Sequence, residues 1–181
     1  MSPAQAALLD RYEAVLKERA IPLGMIALSD RSRLRERHLL DALRGVPLIP
    51  EGLVVDLGSG AGLPGISLAI ALPDAEVVLT ERRPRRAAFL EHVVESLALP
   101  NARVFVGAAE RCGERAGSCV ARAFAAPPAT WRVAQSILVP DGVLLLWAGR
   151  GARIQVEGTW IRSFPAPTLA KAGPIVMMGR Q

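Results

Sequence analysis

VVDLGSGAGLPG, residues Val54 to Gly65, sets glycines at 58, 60 and 62 directly behind a branched apolar run closed by Asp56, and adds a fourth at 65. Glycine accepts positive φ and carries no side chain, so a chain leaving a strand through this run brings its backbone close to a ligand. Pro64 suits the first turn of a following helix, where amide hydrogens have no intrahelical acceptor. Strand, glycine turn and helix in that order form the opening unit of an open α/β sheet, which binds ligands beyond the carboxyl ends of its strands.

Outward from that unit the chain keeps the same rhythm. The apolar runs LVVDL (53–57), EVVLT (76–80), ARVFV (102–106), SCVARAF (118–124) and GVLLLWA (142–148) are separated by the helical stretches PGISLAIALP, RRPRRAAFLEHVVESLAL and PPATWRVAQSILVP. Near-continuous Val and Leu strands alternating with helices indicate a parallel sheet covered on both faces. TWIRSF (159–164) and PIVMMG (174–179) supply two more strands, for a doubly wound, mostly parallel sheet of about seven. Only Gly149 to Gly158 join the fifth strand to the sixth, whereas a parallel crossover takes roughly a dozen residues. Either that connection lacks a helix or the sixth strand is not parallel to the fifth; a reduced connection is expected.

Ahead of the sheet, AQAALLDRYEAVLKER (4–19) places Ala7, Leu8, Tyr12, Val15 and Leu16 on one face of an amphipathic helix. After Pro22 and Gly24, Ser29 or Asp30 is expected to cap a second helix with Leu34, Leu39, Leu40 and Leu43 on its apolar face. Its first turns carry Arg31, Arg33, Arg35 and Arg37. Positive charge there opposes the helix dipole, so these residues project into water or lie beside an anion. The expected organisation is a helical extension over 1–45 packed on the same domain as the sheet region, 46–181.

Composition removes several classes of function. With 51% hydrophobic and 22% charged residues the chain is of ordinary globular type. No apolar run reaches the roughly 18 residues that span a bilayer, and the amino terminus lacks the order of a signal peptide, so a cytoplasmic protein without a membrane partner is expected. Cys112, Cys119, His38 and His92 have no metal-ligand spacing. The net charge of +5 is carried almost wholly by arginine. Arginine pairs with phosphate and stacks on bases, which suits a nucleic-acid surface; a codon bias gives the same ratio.

The glycine turn has two readings. From Gly60, GAGLPG matches the G-x-G-x-x-G dinucleotide pattern, with Glu81 placed 21 residues on as a ribose-binding acid. From Asp56 it reads D-x-G-x-G-x-G, with a carboxylate placed to bind a ligand ammonium group directly or through water. S-adenosylmethionine offers that group and NAD does not, while a pyrophosphate prefers a helix start free of anions. The acid therefore favours S-adenosylmethionine, with NAD as the rival.

RHLLDAL (37–43), DLGSGAGLPGISLAI (56–70), the acid after the second strand and ARAFA (121–125) together resemble the bacterial small-ribosomal-subunit RNA methyltransferase G family, long called glucose-inhibited division protein B, over about residues 30–148. The resemblance implies a Rossmann-like class I methyltransferase fold, S-adenosylmethionine as cofactor and N7 of one guanine in 16S ribosomal RNA as acceptor. It assigns cofactor contacts to Gly58 and Leu63, to Ala109 and Glu110 beside the adenine, and to Arg122 near the methionine end, with Glu81 on the ribose. Asp56, Gly60 and Gly62 complete the candidate cofactor set.

RNA contacts are expected from Arg37, His38, Arg122, Arg150 and the cluster Arg82, Arg83, Arg85 and Arg86. His38 and Asp41 lie on one helix face, where they brace the amino-terminal helices or touch substrate. Guanine N7 carries a lone pair and no proton, so no general base is required, and no nucleophile–base pair is found. A monomer without metal, working on naked 16S RNA or the assembled subunit, is expected. The family's Lys-Gly after the fifth strand is absent; Arg150 in WAGRG either substitutes for that cation or the activity is lost with it. Alternatives are a class I methyltransferase acting on a small molecule or another RNA, a noncatalytic RNA-binding module retaining the cofactor site, and, more distantly, an NAD-dependent oxidoreductase.

Overall fold

A computed structural model describes residues 1–167, 169 and 172–181. Strands β1 (Val54–Asp56), β2 (Val77–Glu81), β3 (Ala102–Val106), β4 (Ala116–Arg122), β5 (Leu138–Trp147), β6 (Thr159–Phe164) and β7 (Ile175–Arg180) form one sheet in the order β3-β2-β1-β4-β5-β7-β6. The first five are parallel, β7 is antiparallel to β5, and β6 is antiparallel to β7. Strand β6 therefore runs in the direction of β5 but two places away, and the stretch between them holds no helix. The reduced connection read from its length is what the chain has.

Side-chain alternation divides the interior into two cores. Val54, Val77, Leu79, Val120 and Leu145 face one side with the helices α1 (Pro3–Val15), α3 (Gly65–Ala71) and α4 (Pro84–Ser96). Val55, Val78, Cys119, Leu144 and Leu146 face the other with α5 (Pro127–Ile137), where Ile154 and Val156 of the helix-free connection also pack. Strand residues one apart point to opposite faces, so strands covered on both sides must be apolar throughout.

The amino-terminal segment departs from the expected pattern in three places. Helix α1 buries Leu9 and Tyr12, and the π turn that follows it (Leu16–Ala20) buries Leu16, while Ala7 is exposed and Leu8 and Val15 are half-buried at the margin. The second helix is not one regular element. A 3-10 turn (Leu28–Arg33), a wider π turn (Arg35–Leu40) and α2 (Asp41–Leu43) follow one another. That change of pitch turns Leu40 outward, at 40% exposure, and brings His38 and Asp41 inward beside Leu39 and Ala42. Neither Ser29 nor Asp30 caps the segment, because the start at Ala27 has no side-chain cap and the Asp30 carboxylate is engaged by Arg37 and His38 instead.

Helix α1 is fastened to the glycine turn by Tyr12, whose buried hydroxyl donates to the Ala61 carbonyl at 2.7 Å, and to the end of α3 by Gln5, whose side-chain amide donates to the Ala71 carbonyl at 3.1 Å. Strand order reverses at β1, which has β2 on one side and β4 on the other. A cleft opens at such a point above the strand ends. Helix α3 starts there, pressed so closely on the sheet that a side chain at Gly65 would overlap Leu79 and the Asp56 carboxylate. Gly65→Ala is expected to destabilise the protein by about 2 kcal/mol, the usual cost of one methyl forced into a packed interior. The midpoint of urea unfolding measures it, and an unchanged midpoint would contradict the close approach.

Candidate functional site

Two turns hold the floor of the cleft. Gly58 (φ 65) and Gly60 (φ 58) take left-handed backbone conformations directly after β1. The Gly58 amide donates to Thr80 Oγ1 at 3.1 Å and the Gly60 amide to Glu81 Oε2 at 3.2 Å. The other carboxylate oxygen of Glu81 accepts from the Arg83 amide at 2.9 Å. Each carboxylate oxygen can accept more than one hydrogen bond, so Glu81 is pinned in place and retains acceptor capacity toward the cleft.

Above this floor lies a cavity of about 410 Å³ bordered by Gly58, Glu81, Ala109, Glu110 and Phe124. A side chain at Gly58 would run into the Phe124 ring, while one at Gly60 would meet little. Ala109 is buried and Glu110 exposed at the mouth. Bare backbone, an oriented carboxylate at the second strand, an apolar wall and a rim acid fit the ribose and base of a nucleoside. Arg82, Arg83 and Arg86 also border this cavity, whereas Arg85 is exposed on α4 outside it.

Asp56 lies elsewhere than expected. Its carboxylate is buried and borders neither this cavity nor the next. Oδ2 accepts from the Gly65 amide at 3.0 Å, at the start of α3, and Oδ1 is buried without a hydrogen-bond partner. Helix starts present amides with no intrahelical acceptor, and the missing side chain at Gly65 lets the carboxylate reach one. Burial pushes the Asp56 carboxyl up to about 7, against the opposing pull of hydrogen bonds from Ser59 and Gly65 and of the Arg122 charge. Gly62 and Leu63 also lie behind the turn: Gly62 faces Tyr12 and Ile66, and Leu63 is in the core. These three shape the turn from beneath.

Arg122, at the end of β4, stands with the amino-terminal helices. Its guanidinium meets Nδ1 of His38 and lies 3.7 Å from Asp41 Oδ2. A guanidinium only donates, so Nδ1 accepts and the ring proton sits on Nε2, which donates to Asp30 Oδ2 at 2.9 Å. Burial and then the Arg122 charge hold the His38 pKa below its ordinary value, so the imidazole is the neutral member of the chain. Asp41 accepts from Arg44 at 2.6 Å, its carbonyl accepts from the Trp147 indole at 2.8 Å, and Arg44 donates to the carbonyls of Gly173 and Phe164. His38 and Asp41 thus both brace the amino-terminal helices and border a second cavity. Arg44 and Trp147 belong to this network without having been singled out by the sequence, and Asp30, expected as a helix cap, joins it instead; an acid eight residues before His38 gives no local signal of that pairing.

A second cavity of about 470 Å³ opens beside this network, bordered by Arg33, Arg37, His38, Arg122 and Arg150. Three of the four arginines of the 31–37 cluster have partners within the chain. Arg31 donates to the Lys17 carbonyl, Arg35 pairs with Asp10 and Glu13, and Arg37 pairs with Asp30. Of the two alternatives for that charge, the nearby-anion one holds for Arg35 and Arg37, and the anions are the chain's own. Among the described residues no group of His, Cys, Asp and Glu is arranged to hold a metal ion, and no helix is long and apolar enough to cross a membrane.

Residues 5–163 match the family model described as rRNA small subunit methyltransferase G. Proteins named ribosomal RNA small subunit methyltransferase G from Acidothermus cellulolyticus and Thermobifida fusca are each 42% identical to the chain, over 83% and 81% of it and 67% and 63% of their own lengths. The protein of that name from Acidiphilium cryptum is 35% identical over 93% of the chain and 82% of its own length. Among solved structures, a SAM-dependent methyltransferase from Aquifex aeolicus superposes with a TM-score of 0.65 at 15% identity, covering 87% of this chain and 97% of that one. A likeness at that identity is one of fold alone.

With its folded value raised to about 7 from an ordinary 3.8, Asp56 holds its proton over a range in which the unfolded chain has lost it. The stability it lends is full below the unfolded value and is lost as pH rises through the folded one. Asp56→Asn does not titrate. Relative to the native chain the variant is expected to gain on the order of 2 kcal/mol between roughly pH 5 and pH 8 in urea unfolding. A constant difference between the two proteins across that range would show that the carboxyl is not perturbed.

Proposed function

Because the chain belongs to the rRNA small subunit methyltransferase G family, we propose that it transfers the methyl group of S-adenosylmethionine to 16S ribosomal RNA, at N7 of a guanine, acting in the cytoplasm as a monomer on the RNA or the assembled small subunit. The observation that carries this reading is the floor of the cleft, where the left-handed Gly58 and a Glu81 held by the Gly60 and Arg83 amides border a nucleoside-sized cavity at the switch point of the sheet.

Bound there, S-adenosylmethionine supplies a methyl group already activated by its sulfonium charge. The protein's task is alignment. Glu81 would take the ribose hydroxyls, Ala109 and Glu110 would flank the adenine, and the backbone at Gly58 would receive the methionine part, while Arg122 stands at the second cavity. Asp56, Gly62 and Leu63 contribute by holding the turn rather than by touching the ligand. Guanine N7 has no proton to lose, and His38, the buried imidazole in this region, has both nitrogens engaged by Arg122 and Asp30. No proton-transfer group is asked of the chain. Arg82, Arg83 and Arg86 at one cavity and Arg33, Arg37 and Arg150 at the other give RNA phosphates their counter-charges, with Arg85, exposed in the first turn of α4, as an outer contact.

Calorimetry is expected to show S-adenosylmethionine binding and no NAD binding. Gly58→Val should weaken the first by at least about 10-fold, since the new side chain strikes Phe124. Labelled methyl groups should map to a guanine N7 in 16S RNA; label found only in small molecules or at a base amino group would overturn the acceptor assignment. Affinity for the small subunit should fall at least about 10-fold between low and moderate salt as counterions are released from phosphates. Salt-insensitive binding would remove the arginines from the RNA interface.

A further inference from the structure

We propose that Ala123 is the gate of methyl transfer: it is the wall between the nucleoside cavity and the second cavity, which seats the acceptor base, and its small side chain lets the two ligands meet. The inference rests on the methyltransferase reading above and adds to it the place of the acceptor and the residue that admits it.

Three observations converge on this position. Among the described residues, Ala123 is the one that borders both cavities. It lies directly after β4, beyond Arg122, in a left-handed conformation at φ 54, which residues with a side chain adopt sparingly. Its neighbours hold it there. Arg122 is drawn to His38 and Asp41, while the Phe124 ring lies against Gly58. In an extended strand residues two apart share a face. Arg122 and Phe124 do not, since Arg122 borders only the second cavity and Phe124 only the first. The backbone reversal at Ala123 is what sends them to separate ligands. Left-handed geometry maintained on a residue other than glycine, and over-determined by its surroundings, is a mark of functional positions.

The chemistry needs such a point. The lone pair of the acceptor nitrogen forms the new bond to the methyl carbon as the carbon–sulfur bond breaks and its electron pair remains on sulfur. The positive charge passes to the base and no proton moves. Attack occurs in line and at near-contact distance, so donor and acceptor approach through a single opening. The side chain that Ala123 brings to the border of the two cavities is a single methyl group. The second cavity, about 470 Å³ and flanked by Arg33, Arg37 and Arg150, suits a single electron-rich nucleobase turned out of its stack, with its phosphates on the arginines.

Two substitutions test the gate. Ala123→Asn keeps a residue that tolerates left-handed backbone but fills the opening; Ala123→Gly clears it and loosens the backbone. For Ala123→Asn, S-adenosylmethionine affinity by calorimetry is expected within about 3-fold of the native chain and KM for the small subunit little changed, while kcat falls at least about 30-fold. Ala123→Gly is expected to lower kcat by only about 5-fold. A native kcat in Ala123→Asn would overturn the proposal, as would cofactor affinity falling in step with rate or Ala123→Gly losing as much as Ala123→Asn. If the native chain itself transfers no methyl to the subunit, the methyltransferase reading fails; if it does and Ala123→Asn does equally, only the gate fails.

Discussion

A buried carboxylate at the junction of β1 and α3 is the constraint around which the cleft is built. Asp56 sits at the end of the first strand with one oxygen on the Gly65 amide and the other without a partner. Burying such a group is costly unless it is hydrogen-bonded or neutral, and its pKa near 7 shows the protein meeting that cost in part by protonation. The arrangement fixes where α3 starts, forbids a side chain at Gly65, and thereby determines the path of the chain between. Gly58 owes its place at the edge of the cleft to that path. Tyr12 secures it from the other side by capping the Ala61 carbonyl.

The second organising element is the polar chain Asp30–His38–Arg122–Asp41–Arg44, which ties the amino-terminal helices to the ends of β4 and β5 and to the carbonyls of Phe164 and Gly173. Its members are charged or strongly polar and mostly buried, a costly arrangement unless each finds a partner. Each does, and the tautomer of His38 follows from the guanidinium beside it. The amino-terminal helices are thereby held as a wall of the second cavity. Position in that wall, more than charge alone, separates Arg33 and Arg37 at the cavity from Arg35, which is spent on Asp10 and Glu13.

Much of this was legible in the residues. Five Val- and Leu-rich runs read as parallel strands, and all five pair as such. The helix-free connection followed from a count of residues between β5 and β6. Leu40 was read as apolar face because a regular helical period was assumed, and the wider turn over Arg35–Leu40 rotates it to solvent. Ala7 was read as inward by the same period, yet the groove above α3 accepts Leu9 instead. Asp56 was read as a ligand contact, since a sequence shows an acid beside a glycine turn but not which unpaired amide will lie nearest to it.

What the sequence determined by itself is the order and character of the elements, the location of the glycine turn and the acid that follows the second strand. Those depend on the alternation of side chains and on backbone freedom, which are local properties. Only the tertiary structure decided which carboxylate turns to the cleft and which to a helix, which arginines are spent on the chain's own acids, and that a single alanine borders both cavities. Polar side chains choose partners within about 3 Å, and residues far apart in the chain come that close only when the sheet and its covering helices have assembled.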